Sequence, residues 1–269
     1  MILSQSTVRR VLKARREEVA TVSIVANPTT IFDNQDLTAP YTQYVFKLRS
    51  AICVSQSLKE CWKLRKRYSD FYALHRKLRH TKSQWEKSCI KQGEAFHSVM
   101  QKLQQAAGSE FPRKHVRCDT KAIIQQRRRQ LMDYIRTLLA AYTDLEVLLG
   151  APANFKRNFI DDISCLNKVF TEIERFLEIP PKRKEVEAKL TRAVAALQDV
   201  KLDPNSENKC CICLSDNDPT ADYSDEMAQL PCAHVFHEDC IVHWFQCGAT
   251  CPVCRRAVGN VVTRRVPLR

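Results

Sequence analysis

Hydrophobic and polar positions alternate most clearly between Tyr44 and Arg49, where Tyr44, Phe46 and Leu48 face one way and Lys47 and Arg49 the other. A period of two puts successive side chains on opposite faces of an extended chain, so this stretch predicts a half-buried β-strand. Val19–Val25 is β-branched and apolar and predicts an earlier strand, broken by Asn27-Pro28. Cys61–Arg67 predicts a third, with Trp62 and Leu64 on one face. The period then lengthens. Ser69 can cap a helix whose Phe71, Leu74 and Leu78 share a side. Ser83–Gln105 has helical spacing through Trp85, Cys89, Phe96, Met100 and Leu103, and Lys121–Tyr142 through Ile124, Leu131, Ile135 and Leu138. The helical pattern continues over Phe159–Leu177, and Ile179-Pro180-Pro181 marks a boundary. Beyond it, Val186, Leu190, Val194 and Leu197 make a narrow stripe on a charged helix, ended by Asp203-Pro204-Asn205.

The plan is therefore α+β: a three-stranded antiparallel sheet followed by helices, a helical linker, and a small cysteine-rich module. Composition supports a folded chain. Of 269 residues, 44% are hydrophobic and 27% charged, which excludes wholesale disorder, collagen and a membrane bundle. Charge adds a partner. Residues 209–269 hold 6 basic and 7 acidic residues, so the net +13 comes entirely from residues 1–208, which need an anionic surface to meet. Arg9 and Arg10 precede any secretory apolar region, and Glu17 and Glu18 oppose a mitochondrial presequence. A cytosolic, reducing location is the expectation, and clustered cysteines there indicate metal rather than disulfides.

Eight of the 13 cysteines fall between Cys210 and Cys254. Cys210 and Cys213 are separated by two residues, as are Cys251 and Cys254; between the pairs lie Cys232, His234, His237 and Cys240. Zinc takes four such thiolate and imidazole ligands in a closed tetrahedron, so eight ligands make two structural Zn²⁺ sites. A module of roughly 60 residues is marginal without such staples, and each zinc can supply on the order of 10 kcal/mol. Spacing excludes Cys211 and Cys247, while His243 competes with His237 as a ligand. Cys53, Cys61, Cys89, Cys118 and Cys165, scattered singly, read as small buried apolar residues.

The ligand order over residues 210–256 resembles a RING finger of the two-histidine kind. That resemblance implies crossed pairing, with Cys210, Cys213, His237 and Cys240 on one zinc and Cys232, His234, Cys251 and Cys254 on the other. It also implies a ubiquitin ligase, with Ile212, Trp244 and Pro252 forming the groove for a ubiquitin-conjugating enzyme. Trp244 filling the module's own core is the competing use. Arg255, with Arg256 as its rival, would contact both the conjugating enzyme and ubiquitin as the catalytic cation, a task suited to a planar guanidinium. Saturated zinc has no open position, so the implied chemistry is positioning of a thioester-linked ubiquitin beside a lysine. Cys211 or Cys247 as a covalent carrier is not required.

The basic region has its own constellation. Arg65-Lys66-Arg67-Tyr68 ends a strand and feeds a helix, placing cations near amide donors. Phe111-Pro112-Arg113-Lys114 offers another cation, and Arg127 lies four residues before Leu131, on the inward stripe of its helix. Together these resemble a phox-homology (PX) domain over about residues 18–180. The resemblance implies phosphatidylinositol 3-phosphate as ligand: Arg67 on the 3-phosphate, Tyr68 against the inositol ring, Lys114 on the 1-phosphate and Arg127 on the 4- and 5-hydroxyls. The family's proline-rich loop is reduced here to Pro112; Trp85, Phe96 or Met100 could insert in a bilayer instead, or pack on the domain.

The expected division is 18–180 for the PX-like domain, 181–207 for the linker, 208–258 for the RING finger and 259–269 for a tail. The expected function is a RING-type ubiquitin ligase, cytoplasmic and peripheral on endosomal membranes, with a ubiquitin-charged conjugating enzyme as partner. A non-catalytic lipid-binding adaptor is the alternative. The linker stripe could pair two chains as a homodimer or belong to a solvated monomeric helix. Nucleic acid is not an expected partner, because the basic residues form a compact constellation without stacking aromatics in series.

Overall fold

The computed structural model describes residues 5–32, 40–50, 61–88, 101, 104–105, 111–114, 119–150, 160–200, 210–214 and 227–259. Helix α1 (Gln5–Ala20) precedes three antiparallel strands, β1 (Ser23–Ile31), β2 (Tyr41–Arg49) and β3 (Cys61–Arg67), in sheet order β1-β2-β3. Register pairs Ile31 with Tyr41, Phe46 with Leu64 and Gln43 with Arg67. The alternation read from the sequence is the burial pattern observed: Tyr44, Phe46, Leu48, Trp62 and Leu64 are all buried. Strand β1 differs from expectation. It runs on through Pro28, which pairs with Tyr44. As an edge strand β1 has one ladder to serve, and such strands tolerate a residue without an N–H. Residues 19 and 20, expected in this strand, instead finish α1.

Helix α2 (Tyr68–Ser88) starts one residue before the Ser69 expected to cap it. Asp70, in the first turn, reaches back three residues, its Oδ2 accepting the Arg67 backbone N–H at 2.7 Å. The two helices expected over 69–105 are one as far as Ser88. The side chains of Trp85, Cys89, Phe96, Met100 and Leu103 lie outside the described residues, as do Cys53, Cys118 and Cys165. Cys61 is exposed, contrary to expectation, because it sits on the outward face of β3 beside inward Trp62. Helices α3 (Lys121–Gly150) and α4 (Ile160–Leu177) complete a first core, in which Phe71 meets Phe46, Tyr134 and Phe176 at 4.9–6.2 Å between ring centres. Trp62 Nε1 donates to the Leu177 carbonyl at 3.2 Å, tying the sheet to the end of α4.

Pro181 then opens α5 (Pro181–Ala195), where a missing N–H costs nothing. The short strands β4 (Gln198–Val200), β5 (Met227–Gln229) and β6 (Val235–His237) form a second antiparallel sheet, and α6 (Glu238–Phe245) follows. The segment expected to be a spacing linker is not a spacer. Leu190, Ala193, Val194 and Leu197 join Val11 and Ala14 of α1 and Ala228, Leu230, Phe236, Ile241, Val242 and Phe245 in a second core. Gly259 confirms how closely the pieces fit. Its φ is +77°, and a Cβ there would lie 2.8 Å from the Arg192 carbonyl carbon of α5.

Helices α1 and α5 pair face to face, with an apolar half and an ionic half. Arg15 Nη2 lies 2.6 Å from Glu146 of α3 and 3.1 Å from Glu187 of α5; Arg183 of α5 contacts Glu18 and Glu187, each at 2.8 Å. Arg15, Glu18, Arg183 and Glu187 are essentially inaccessible to solvent. Arg16 grips buried Asp144 of α3 through two 2.8 Å hydrogen bonds. Burial opposes the Arg15 charge, and the surrounding Glu187, Glu146 and Glu18 outweigh it, holding the guanidinium above its ordinary range. Such a cluster adds little over apolar packing, yet deleting one member leaves an uncompensated buried charge.

Candidate functional site

The eight cysteine and histidine ligands converge as two quartets, Cys210–Cys213–His237–Cys240 and Cys232–His234–Cys251–Cys254, with the ligand atoms of each within 4.8 Å of one another. The crossed pairing is thus present in the fold. The geometry suits zinc: Cys213 Sγ is 3.2 Å and Cys240 Sγ 3.9 Å from His237 Nδ1, and Cys232 Sγ is 3.3 Å from His234 Nδ1. A tetrahedron with Zn–S of about 2.3 Å and Zn–N of about 2.0 Å has S···N edges of about 3.5 Å. Burial first, and then neighbouring Cys210 and Cys213, push the Cys240 thiol up to about 12. Three thiols and one imidazole facing one another in a partly buried site suit a bound cation. Exposed His243 belongs to neither quartet.

Backbone turns set the knuckles. Leu214 (φ 59°) donates its N–H to the Cys210 carbonyl at 2.8 Å, and Arg255 (φ 59°) donates to Cys251 at 2.9 Å. In each case the residue after the second cysteine takes a left-handed conformation, unusual without glycine. Two otherwise unrelated segments are folded by the same ligand spacing. Cys211 and Cys247 are both exposed and belong to neither quartet.

Trp244 lies on α6 one turn after Cys240. It is 38% exposed, and its Nε1–H donates to the Thr250 carbonyl at 3.0 Å. The indole therefore does not fill the core; Phe236, Ile241 and Phe245 do. Ile212 and Pro252 are half-buried, Leu214 and Val253 exposed, and both Arg255 and Arg256 exposed.

The sequence comparisons agree with this geometry. The Ring finger domain family matches residues 208–255, and the PX domain family residues 54–146. The chain carries a PX domain followed by a RING finger. Among curated relatives, "E3 ubiquitin-protein ligase RING1-like" of Arabidopsis thaliana is 34% identical over 133 residues, covering 46% of this chain and 39% of that protein. "RING-H2 finger protein ATL60" of Arabidopsis thaliana is 50% identical over 54 residues, covering 20% of this chain and 16% of that protein. "E3 ubiquitin-protein ligase RNF126" of Xenopus tropicalis is 33% identical over 76 residues, covering 28% and 23%. The matches span about two fifths or less of these relatives' lengths. No solved structure matches the chain.

In the PX domain, Tyr68 is the hub. Its ring stands 5.8 Å from Phe111 and 6.1 Å from Tyr72, the Arg127 guanidinium lies 4.0 Å over it, and its hydroxyl donates to the Pro112 carbonyl at 2.7 Å. Lys114 Nζ is 5.7 Å from the Tyr72 ring. The structure so gathers Tyr68, Lys114 and Arg127 around one aromatic cluster. Arg67, exposed at the end of β3, stacks 3.3 Å over Tyr41 of β2. Sequence reasoning missed Tyr41, whose place follows only from β2–β3 register, and Asp119. Arg127 is 4% exposed and its Nη1 donates to both Asp119 oxygens at 2.6 Å. This inward arginine already has its anion.

Proposed function

We propose that the chain is a RING-type ubiquitin ligase recruited to endosomal membranes through phosphatidylinositol 3-phosphate. The observation that carries the ligase half is Trp244, an indole held outward by Thr250 on a zinc-stapled scaffold. A fixed, exposed aromatic beside half-buried apolar residues is what a partner-binding hot spot requires. Ile212, Trp244 and Pro252 would receive the ubiquitin-charged conjugating enzyme, and Arg255 would bridge it to ubiquitin. Two Zn²⁺ held by the eight ligands supply rigidity; the chain's own groups bind and orient. Relatives named as ubiquitin-protein ligases support this reading.

For the lipid half, Arg67 is the natural phosphate contact, because its exposed guanidinium is pre-oriented on Tyr41. Lys114 would add a second phosphate contact. Tyr68 would offer its ring edge to the inositol, since Arg127 covers one face. Arg127 would meet ring hydroxyls by sharing Asp119, which can accept from a hydroxyl as readily as from a guanidinium. No helix among the described residues is long and apolar enough to cross a membrane; headgroup binding by the PX domain would attach the chain peripherally. A homodimer, if formed, would use a surface other than the α5 stripe, which α1 already covers.

The test is ubiquitination reconstituted on vesicles. Chain synthesis should rise when phosphatidylinositol 3-phosphate is included at about 1–5 mol% and be unaffected by the 4-phosphate isomer. Lipid binding without ubiquitin transfer would return the adaptor reading; transfer indifferent to any phosphoinositide would sink the recruitment.

A further inference from the structure

Helix α6 has eight residues, too few to hold a direction by itself, so its aim depends on what grips it. On one side, His237 at its start and Cys240 within it would be held by zinc. The other side is gripped by α1. Arg10, only 8% exposed, places Nη2 2.7 Å from Glu238 Oε2, bonds the Asp199 carboxylate, and donates from Nη1 to the Leu197 carbonyl at 3.3 Å. Lys13 Nζ lies 2.6 Å from Asp239 Oδ1, a contact between residues 226 apart in the chain. Val11 and Ala14, each next in the chain to one of these cations, are packed into the same core as Ile241 and Phe245 of α6. One guanidinium thus ties α1 to β4 and to the first turn of α6.

We infer that Arg10 is a positioning residue for ubiquitin transfer, acting through Glu238 to aim α6 and its Trp244 at the conjugating enzyme. The inference rests on the ligase reading above. It assigns a working part of the RING finger to a helix far outside the matched residues 208–255. The same helix is fastened to α3 of the PX side through Arg15 and Arg16, so the conjugating-enzyme face is held at a set orientation to the lipid module.

The full chain is the test material, with zinc content measured for every variant. Arg10→Ala should keep both zinc ions and speed amide exchange across residues 238–245 about tenfold or more. It should also raise the half-saturating concentration of ubiquitin-charged conjugating enzyme about tenfold while the maximal rate stays within about twofold. Arg10→Lys, which keeps the charge, should recover most of both. Unchanged exchange and unchanged half-saturation in a two-zinc Arg10→Ala protein overturn the inference. Should Arg10→Ala lose zinc, the exposed Lys13–Asp239 pair decides: Lys13→Glu should shift half-saturation about twofold, and adding Asp239→Lys should restore it. Neither effect occurring there also overturns it. A wild-type chain inactive with every conjugating enzyme defeats the ligase reading instead, while the exchange measurement still judges Arg10.

Discussion

The two cores of this chain are built from different materials. The first is a sheet and three long helices around Phe46, Phe71, Tyr142 and many aliphatic side chains, large enough to hold by apolar burial. The second is assembled from short pieces: three-residue strands, an eight-residue helix, four cysteine-bearing segments, and borrowed faces of α1 and α5. None of those pieces is stable alone, so metal ligation and neighbouring helices must supply what strand length does not. The lesson is that a small metal module can depend on residues far outside its own motif.

Chelation should divide the cores most sharply. Removing both zinc ions withdraws on the order of 10 kcal/mol each from the second core. Region-resolved hydrogen exchange should show 210–214 and 227–258 losing protection while β2, β3 and α3 keep theirs; equal loss in both would erase the distinction. Phe46→Ala makes the converse cut. It should cost about 3–5 kcal/mol in denaturant melts and leave zinc stoichiometry at two in the folded fraction. Glu187→Gln strikes the ionic seam between the cores, leaving Arg15 and Arg183 short of an anion, and should cost about 3 kcal/mol.

Smaller effects on folding separate the functions. Trp244→Ala should abolish ubiquitin-chain synthesis, and Arg67→Ala should abolish vesicle binding, each with about 1 kcal/mol or less of stability lost. Activity surviving the first, or binding surviving the second, refutes the corresponding surface. The smallest effect is electrostatic. The hydrogen bond from Lys77 lowers the Glu172 pKa, so this pair stabilises the fold above the ordinary carboxylate range and loses that contribution as pH falls through the depressed value. Glu172→Gln should therefore flatten the acid limb of a stability–pH curve by under about 1 kcal/mol, because the pair is solvated.

Local patterns were legible wherever neighbours in sequence are neighbours in function. Tyr44, Phe46 and Leu48 alternate because a strand must, and paired cysteines declare metal because two residues are what a knuckle turn spans. Helix α1 was not legible as an element. Its inward stripe, Val8, Val11, Arg15 and Glu18, turns ionic halfway, so hydrophobic periodicity fails. The α5 stripe was visible, but its companions Arg183 and Glu187 read as ordinary surface charges. Arg127 was correctly placed inward, and its partner Asp119 was not seen, because a loop residue eight positions earlier carries no periodic signal.

By itself, the amino-acid order determined the alternation of β2, the helical periods of α2 to α5 and the pairing of eight candidate metal ligands, all properties written within a few residues of one another. Only tertiary structure decided that α1 and α5 complete the second core, that Trp244 turns outward, and that Arg10 reaches Glu238. Those depend on which faces meet across long stretches of chain, and a buried ion pair leaves no local periodicity to announce its partner.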